Sequence, residues 1–203
     1  MIPGIVLAAG DSSRMGRPKA LLPVGSAGES FLNRIARVLR EGGVEEVIAV
    51  LGRDADVIRA AAPIATQAMR LIDNTDYQQG QLSSLLAGLR AADRPGVRAV
   101  LVTLVDVPLI SAETVASLLD AYHRAGGPRI VRPVKHGRHG HPVIFDRALF
   151  QELRHADPET GAKSVVHAHL ADVLEVEISD EGSFIDIDTP ADYEQYVLRV
   201  HQP

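Results

Sequence analysis

The chain has 203 residues, of which 46% are apolar and 23% are charged, and its formal net charge is −5. This length suits one well-buried core, so we expect a single domain over residues 1–203. The absence of cysteine excludes disulfides, thiolate zinc sites and cysteine nucleophiles, and it fits a reducing, cytoplasmic setting. An acidic chain without a basic stripe argues against nucleic acid as a partner.

The sequence also argues against a membrane location. The first residues, Met1 to Gly4, do not place a basic segment before an apolar run, so no signal peptide is predicted. No uninterrupted stretch of about eighteen apolar residues occurs, so no transmembrane helix is expected.

The first half of the chain alternates predicted strands with predicted helices. Short apolar runs bounded by glycine indicate strands, and apolar residues at helical spacing indicate helices. In order, these are strand 2–8, a helix from Phe31 to the Gly42-Gly43 pair, strand 44–51, helix 54–62, strand 68–72, helix 83–92 and strand 99–105. This rhythm predicts an α/β fold in which a parallel sheet is covered by helices on both faces.

The second half is less regular. Its predicted elements are helix 111–125, strands 130–134 and 142–145, helices 148–155 and 162–169, strands 174–178 and 184–187, and a last helix opened by Pro190. In open parallel sheets, ligands bind at the carboxyl ends of the strands. We therefore look for chemistry in the segments that follow the first, third and fourth strands.

The loop after the first strand, Leu7 to Lys19, combines small residues with three cations. Small residues let backbone amides approach an anion, and arginine and lysine bind phosphate oxygens. The spacing is neither that of a Walker A loop nor that of the dinucleotide fingerprint. The residues alone predict a polyphosphate cradle, with a solvated basic turn as the alternative. The candidate nucleotide contacts here are Leu7, Ala8, Ala9, Gly10, Ser12, Arg14 and Lys19.

Three aspartates are candidate metal ligands. Asp106 ends the fourth strand, where a lone carboxylate is costly unless it is paired; magnesium is the natural partner, and capping of the next turn is the alternative. Asp186 and Asp188 alternate on a predicted strand and so share a face, and two such charges favour a shared cation. The alternative there is that Asp188 or Thr189 caps the last helix.

The segment between the third strand and the next helix is a candidate base site. It contains Asn74, Gly80 and Ser83. A helix start offers free backbone amides, and amide side chains can both donate and accept hydrogen bonds, as base edges require. Capping of the helix by Ser83 is the alternative.

The loop 135–142 carries three histidines among glycines. Histidines this close could form a metal site, but the glycines favour a mobile loop. Because no further ligands in the right geometry are evident, the mobile loop is the favoured interpretation and the metal site the alternative.

These motifs resemble a known family. L-A-A-G-x-S-x-R-M-G-x-P-K, over residues 7–19, resembles the signature of the nucleotidyltransferases with a nucleotide-diphospho-sugar transferase (GT-A-like) fold, and more narrowly their molybdenum cofactor cytidylyltransferase branch. The resemblance implies a three-layer, Rossmann-like fold with a mainly parallel mixed sheet. It implies that Asp106 binds the metal and that I-D-I-D-T-P-x-D-Y is the second metal motif, with Asp188 favoured as a ligand and Asp186 close behind.

The resemblance also assigns the two substrate sides. N-x-x-Y-x-x-G-x-x-S-S, from Asn74 to Ser84, implies contacts with the base and ribose. Gly140-His141-Pro142 resembles a G-H-P motif on the acceptor side. Residues 160–163 resemble part of a G-x-x-G-A-R segment, with Lys163 where the family has arginine. His141 and Lys163 are therefore the candidate acceptor contacts.

The reaction implied is Mg²⁺-dependent transfer of CMP from CTP to molybdopterin, with release of pyrophosphate. Arg14, Lys19 and Asp106 are the expected catalytic residues. A molybdenum hydroxylase is the expected recipient of the product. The alternatives are a transferase that uses GTP or acts on a sugar phosphate or another small phosphorylated acceptor, and a non-catalytic carrier of the molybdenum cofactor.

Overall fold

The computed structural model describes residues 1–25, 28–61 and 69–198. The strands are β1 (Gly4–Ala8), β2 (Pro23–Val24), β3 (Glu29–Ser30), β4 (Val47–Leu51), β5 (Arg70–Asp73), β6 (Ala99–Leu104), β7 (Ile130–Lys135), β8 (Arg138–His139), β9 (Val143–Asp146) and β10 (Val173–Glu177). The α-helices are α1 (Phe31–Glu41), α2 (Ala55–Ala61), α3 (Gln81–Ala92), α4 (Ala112–Arg124), α5 (Phe150–Arg154), α6 (Ala162–Ala168) and α7 (Pro190–Tyr193).

The main sheet has the strand order β10-β7-β9-β6-β1-β4-β5, with β8 paired to β7. The pairs β1–β4, β1–β6, β4–β5 and β7–β10 are parallel, whereas β9 runs antiparallel to both β6 and β7. A short antiparallel ribbon of β2 and β3 lies outside this sheet. The mainly parallel mixed sheet that the sequence and its resemblance predicted is therefore present.

Two apolar cores cover the two faces of the sheet. One packs α1, α4 and α7 against the sheet, and the other packs α3, α5 and α6 against the opposite face. Helix α1 is an example of an element that the local sequence predicts correctly. The Ser30 hydroxyl accepts a hydrogen bond from the Asn33 amide, and six apolar residues on the inner side of the helix are buried. None of the described helices is long and apolar enough to span a membrane.

The predicted strand 184–187 is wrong. Residues Gly182–Phe184 form a 3₁₀ turn. The chain then continues without regular secondary structure to Thr189, which caps α7. The alternating pattern is real, since Ile187 is fully buried, but β10 already lies at the sheet edge beside β7. Residues 184–187 are bonded to the segment after β6 by the hydrogen bond from the Ile187 amide to the Asp106 carbonyl, which is 2.7 Å long.

Other boundaries shift by small amounts. The predicted helix 148–155 begins as a 3₁₀ turn, Arg147–Leu149, before α5. The predicted helix 54–62 and strand 68–72 each include one residue, 62 and 68, outside the described residues.

The reversed strand β9 decides what meets at the carboxyl edge of the sheet. Val143, its first residue, pairs with Val102 near the end of β6. The residues just before β9 therefore lie at the same edge as the residues just after β6. This brings His141 toward Asp106, although the two belong to separate segments of the chain.

Candidate active site

A cleft of about 280 Å³ opens at the carboxyl edge, between the segments that follow β1, β4, β5 and β6. Both small apolar residues and polar side chains line the cleft. The lining residues are Leu7, Ala8, Ala9, Gly10, Asp11, Ser12, Pro18, Lys19, Ala20, Asp54, Ile58, Tyr77, Gly80, Gln81, Ser84, Leu104, Val105 and Asp106. Most of the predicted nucleotide contacts in the N-terminal loop therefore face one space.

The N-terminal loop is folded by short turns rather than by a regular helix. Residues Ser13–Met15 and Lys19–Leu21 each form a 3₁₀ turn, and Gly16 between them has a φ of 67°, which favours glycine. The Lys19 amide donates to the Ser12 hydroxyl at 3.1 Å. This bond holds the end of the loop against its start.

Lys19 joins the loop to two of the predicted metal ligands. Its Nζ lies 2.6 Å from Asp188 Oδ1 and 3.3 Å from Asp106 Oδ2. The Lys19 side chain is only 11% exposed, so this contact is shielded from bulk water. Arg14, which is largely exposed, reaches the same Asp188 oxygen at 3.1 Å. The structure thus brings together Arg14, Lys19, Asp106 and Asp188.

The charges around these residues shift two carboxyl groups in opposite directions. The Lys19 ammonium, through its hydrogen bond, holds the pKa of Asp188 below its usual range, and Arg14 acts in the same direction. Partial burial, followed by the charge of Asp106, raises the pKa of Asp186. Lys19 and Arg14 therefore favour the ionised form of Asp188, whereas burial and the charge of Asp106 disfavour the ionised form of Asp186.

The aspartates fit a divalent cation. Asp106 Oδ1 is buried and has no hydrogen-bond partner, although a buried carboxylate oxygen needs one. Within the described ranges, no group of three carboxylate or imidazole side chains could hold an ion without other ligands. Asp106 and Asp188 are two carboxylates, and proteins often bind Mg²⁺ or Mn²⁺ through one or two carboxylates together with substrate phosphates.

The predicted base side is built on the start of α3. Asn74 is buried, and its Nδ2 donates to the hydroxyls of Ser83 and Ser84 at 2.8 and 3.0 Å. Gly80, with a φ of 96°, precedes the helix and lines the cleft. Ser84 lines the cleft, and Asn74 contacts it from a buried position outside the lining.

The predicted acceptor residues occupy two separate places. The amide of His141 donates to the Ser183 carbonyl at 2.9 Å, and its Nδ1 is buried without a partner. Burial lowers the pKa of His141, against the opposing effects of a Val102 backbone hydrogen bond and of Asp186 and Asp106. The lowered pKa favours the neutral form of the imidazole. Lys163 lies exposed in the first turn of α6, and no described residue forms an ion pair with it.

Sequence reasoning missed some residues of the cleft. Asp54 and Ile58 line it, and Arg53 forms an ion pair with Asp11 at 2.8 Å across its rim. These residues follow β4, the second strand of the parallel series. The rule that ligands meet the carboxyl ends of strands could have pointed to them.

The comparisons with known proteins agree with this geometry. Residues 4–173 match the family described as the MobA-like NTP transferase domain. The chain belongs to this family. It is a nucleotidyltransferase, as the sequence predicted, and its fold is the predicted nucleotide-diphospho-sugar transferase fold.

Several relatives of this MobA-like transferase are similar along nearly their full length. Nicotine blue oxidoreductase of Paenarthrobacter nicotinovorans is 34% identical over 93% of this chain and 92% of its own. The molybdenum cofactor guanylyltransferase of Rhizobium meliloti is 30% identical over 95% and 89%. The crystal structure of Rv0371c from Mycobacterium tuberculosis has a TM-score of 0.83 at 29% identity, covering 97% of both chains. Rv0371c has also been solved in complex with manganese, with a TM-score of 0.77 at 28% identity, covering 97% of this chain and 98% of its own.

Proposed function

We propose that this MobA-like transferase moves CMP from CTP to a molybdopterin-type acceptor and releases pyrophosphate, with Mg²⁺ as its metal. The observation that carries the proposal is the position of Lys19, which ends the small-residue loop and contacts both Asp106 and Asp188. A phosphate-binding loop and a pair of carboxylates suited to a cation thus meet at one point. Nucleotidyl transfer needs this combination, because its main requirements are positioning and charge stabilisation.

The reaction balances without a nucleophilic side chain. A terminal phosphate oxygen of the acceptor forms a bond with the α-phosphorus of CTP. The bond between that phosphorus and the oxygen bridging to the β-phosphate breaks, and pyrophosphate leaves with the electron pair. Lys19 and Arg14 stand where they can offset the charge that grows on the leaving group.

Asp106 and Asp188 are the residues that would hold the metal. A bound Mg²⁺ supplies Lewis-acid stabilisation of phosphate oxygens. The unpartnered Asp106 Oδ1 and the ionised state of Asp188 favour these two residues as ligands. The manganese complex of Rv0371c supports a divalent cation in this group of proteins.

The choice of cytosine rests on the N-terminal loop. Residues 8–10 read Ala-Ala-Gly, whereas the guanylyltransferases that the motif resembles have Ala-Gly-Gly. Ala9 lines the cleft and is buried, and its methyl group lies against Gly52, where an added Cβ would come within 2.8 Å of it. Because the Ala9 methyl group packs against Gly52, the proposed preference for cytosine rests on this resemblance together with that of Gly140-His141-Pro142.

The acceptor assignment rests on His141 and Lys163. His141 offers a buried, unpartnered nitrogen beside Asp106, which in a neutral imidazole can accept a hydrogen bond from an N–H group of a polar ring. Lys163 adds an exposed positive charge for a phosphate group. The name of the Rhizobium meliloti relative points to the molybdenum cofactor as the acceptor class, and a molybdenum hydroxylase is the recipient we expect.

The test is to incubate the purified protein with each of the four NTPs, Mg²⁺ and molybdenum cofactor, and to measure pyrophosphate release. We expect release with CTP well above that with GTP, and release about 100- to 1,000-fold slower with Asp106→Asn. A second panel replaces the cofactor with sugar phosphates. Preference for GTP, preference for a sugar phosphate, or no pyrophosphate with any NTP would each contradict the proposal.

A second candidate function is that of an oxidoreductase. The Paenarthrobacter nicotinovorans relative supports it, because its name is that of an oxidoreductase and it matches most of the chain. The assay for it supplies a reduced nicotinamide as electron donor and an oxidised dye as acceptor. Dye reduction by a preparation that releases no pyrophosphate would favour this candidate over CMP transfer.

A further inference from the structure

The segment between β10 and α7, residues 178–189, carries Asp186 and Asp188 but belongs to no sheet. This segment crosses the carboxyl edge of the main sheet, and a few backbone hydrogen bonds hold it there. The Ile178 amide donates to the Val134 carbonyl at 3.1 Å, and the Ile187 amide donates to the Asp106 carbonyl at 2.7 Å. With so few ladder bonds, side-chain contacts must determine where this segment lies.

Asp180 supplies several of those side-chain contacts, alongside the ion pairs of Lys135 with Glu181 and of Lys19 and Arg14 with Asp188. Its Oδ2 accepts hydrogen bonds from the Ser111 amide and the Thr114 hydroxyl, both at 3.0 Å, and its Oδ1 accepts one from the Gly182 amide at 2.8 Å. The Ser183 hydroxyl lies 3.5 Å from Oδ2. Hydrogen bonds to a carboxylate are stronger than those between neutral groups, and the position at the start of α4 is favourable for a negative charge. We call these five residues the Asp180 clamp.

The clamp lies between the two sides of the site. A Cβ on Gly182 would come within 2.0 Å of the Leu109 carbonyl oxygen, three residues after Asp106. A Cβ on Gly140 would come within 2.2 Å of the Ser183 carbonyl oxygen, which also accepts the His141 amide. The segment is therefore pressed against the residues after β6 on one side and against the residues before β9 on the other.

We propose that Asp180 is a positioning residue for the transferase, which sets the spacing of Asp188 from Asp106 and the pose of His141. It touches no part of the nucleotide cleft. Its removal should therefore affect the divalent cation and the acceptor while leaving nucleotide binding nearly intact. The acceptor part of this proposal rests on the proposed function, whereas the cation part does not.

The experiment compares Asp180→Ala and Asp180→Asn with the wild-type chain. For Asp180→Ala we expect the Kd for Mn²⁺, measured by electron paramagnetic resonance in the presence of CTP, to rise about 10-fold, and the acceptor KM to rise by a similar factor. The CTP KM should change by less than about 3-fold. Asp180→Asn should recover part of the loss, because its amide oxygen can still accept from Ser111 and Thr114 but its NH₂ group cannot accept from Gly182.

Two further variants keep the test decisive. Thr114→Val removes one donor to Asp180 and should shift the Mn²⁺ Kd in the same direction by a smaller factor, even if Asp180→Ala fails to fold. In the double variant the two effects should not add, because both remove the same contact. Asp120→Ala, on the exposed side of α4, is the matched control and should leave all three constants unchanged.

The outcomes separate this proposal from the proposed function. Folded Asp180 variants with wild-type Mn²⁺ and acceptor constants overturn the positioning role, as does an equal rise of all three constants, which indicates general loosening. If the wild-type chain transfers no nucleotide but its Mn²⁺ Kd still depends on Asp180, the proposed function fails and the positioning of the cation ligands stands.

Discussion

The nucleotide half and the acceptor half of the carboxyl edge are built differently. In the nucleotide half, β1, β4 and β5 are parallel, and several polar groups pair within short stretches of chain, such as Lys19 with Ser12 and Asn74 with Ser83, beside the longer-range ion pair of Arg53 with Asp11. In the acceptor half, β9 is reversed and contacts join distant segments, such as His141 with Ser183. Asp106 and Asp188 lie at the border between them.

This difference predicts which substrate a variant in each half should affect. A half that is held by local hydrogen bonds keeps its shape when the other half is disturbed, so variants there should affect mainly the nucleotide. The acceptor half depends on a few long-range contacts, so variants there should affect the acceptor and the cation. The border residues should affect turnover most.

Asp106→Asn should give the largest effect. The amide keeps the size of the side chain but loses the charge for the cation, while Lys19 keeps its 2.6 Å contact with Asp188. We expect turnover to fall by about 100- to 1,000-fold and nucleotide affinity to change by only a few-fold. Pyrophosphate release and calorimetric titration of CTP measure the two quantities. Unchanged turnover would favour the non-catalytic carrier.

Asn74→Ala should damage the nucleotide half alone. It leaves the hydroxyls of Ser83 and Ser84 without their buried donor, which should lower the free energy of unfolding by about 2 kcal/mol. We expect the CTP KM to rise about 10-fold with no change in the acceptor KM. Asn33→Ala, which removes an amide from α1, is the matched control. An equal rise of both KM values would show that the halves are not independent.

His141→Phe should damage the acceptor half alone. The phenyl ring keeps most of the volume but removes the unpartnered nitrogen. We expect the acceptor KM to rise about 10-fold while the CTP KM stays the same. His167→Phe, on the exposed side of α6, controls for loss of a histidine. If the acceptor KM does not move, His141 supports the fold only.

The smallest expected effect is on the pH dependence of stability, through the ion pair of Lys19 with Asp188. Lys19 lowers the pKa of Asp188 below its ordinary value of 3.8, so this pair stabilises the fold above that pH and the stabilisation is lost as the pH falls through the lowered pKa. Lys19→Met removes this contribution. The melting temperature of the variant should therefore fall less steeply than that of the wild type between about pH 5 and pH 2. Parallel curves would contradict the assigned cause.

The sequence predicted most of the nucleotide half, because its signals are local. An apolar run with glycine after it produced β1 and the loop, and Ser30 with the apolar spacing behind it produced α1. The prediction failed at residues 184–187, where alternation suggested a strand. A strand also needs a neighbour with free hydrogen-bonding groups, and whether one is available depends on the order of the sheet.

Local sequence patterns therefore predicted most strands and helices of the main sheet and its two covers, the small-residue loop, and Asp106, Asp186 and Asp188 as candidate metal ligands. Only the tertiary structure decided that Lys19 contacts residues 87 and 169 positions away, that β9 is reversed, and that Asp180 holds the segment carrying Asp188. The physical reason is that turns, caps and apolar spacing are set by neighbours along the chain. Ion pairs and strand order depend on which segments the folded core brings together.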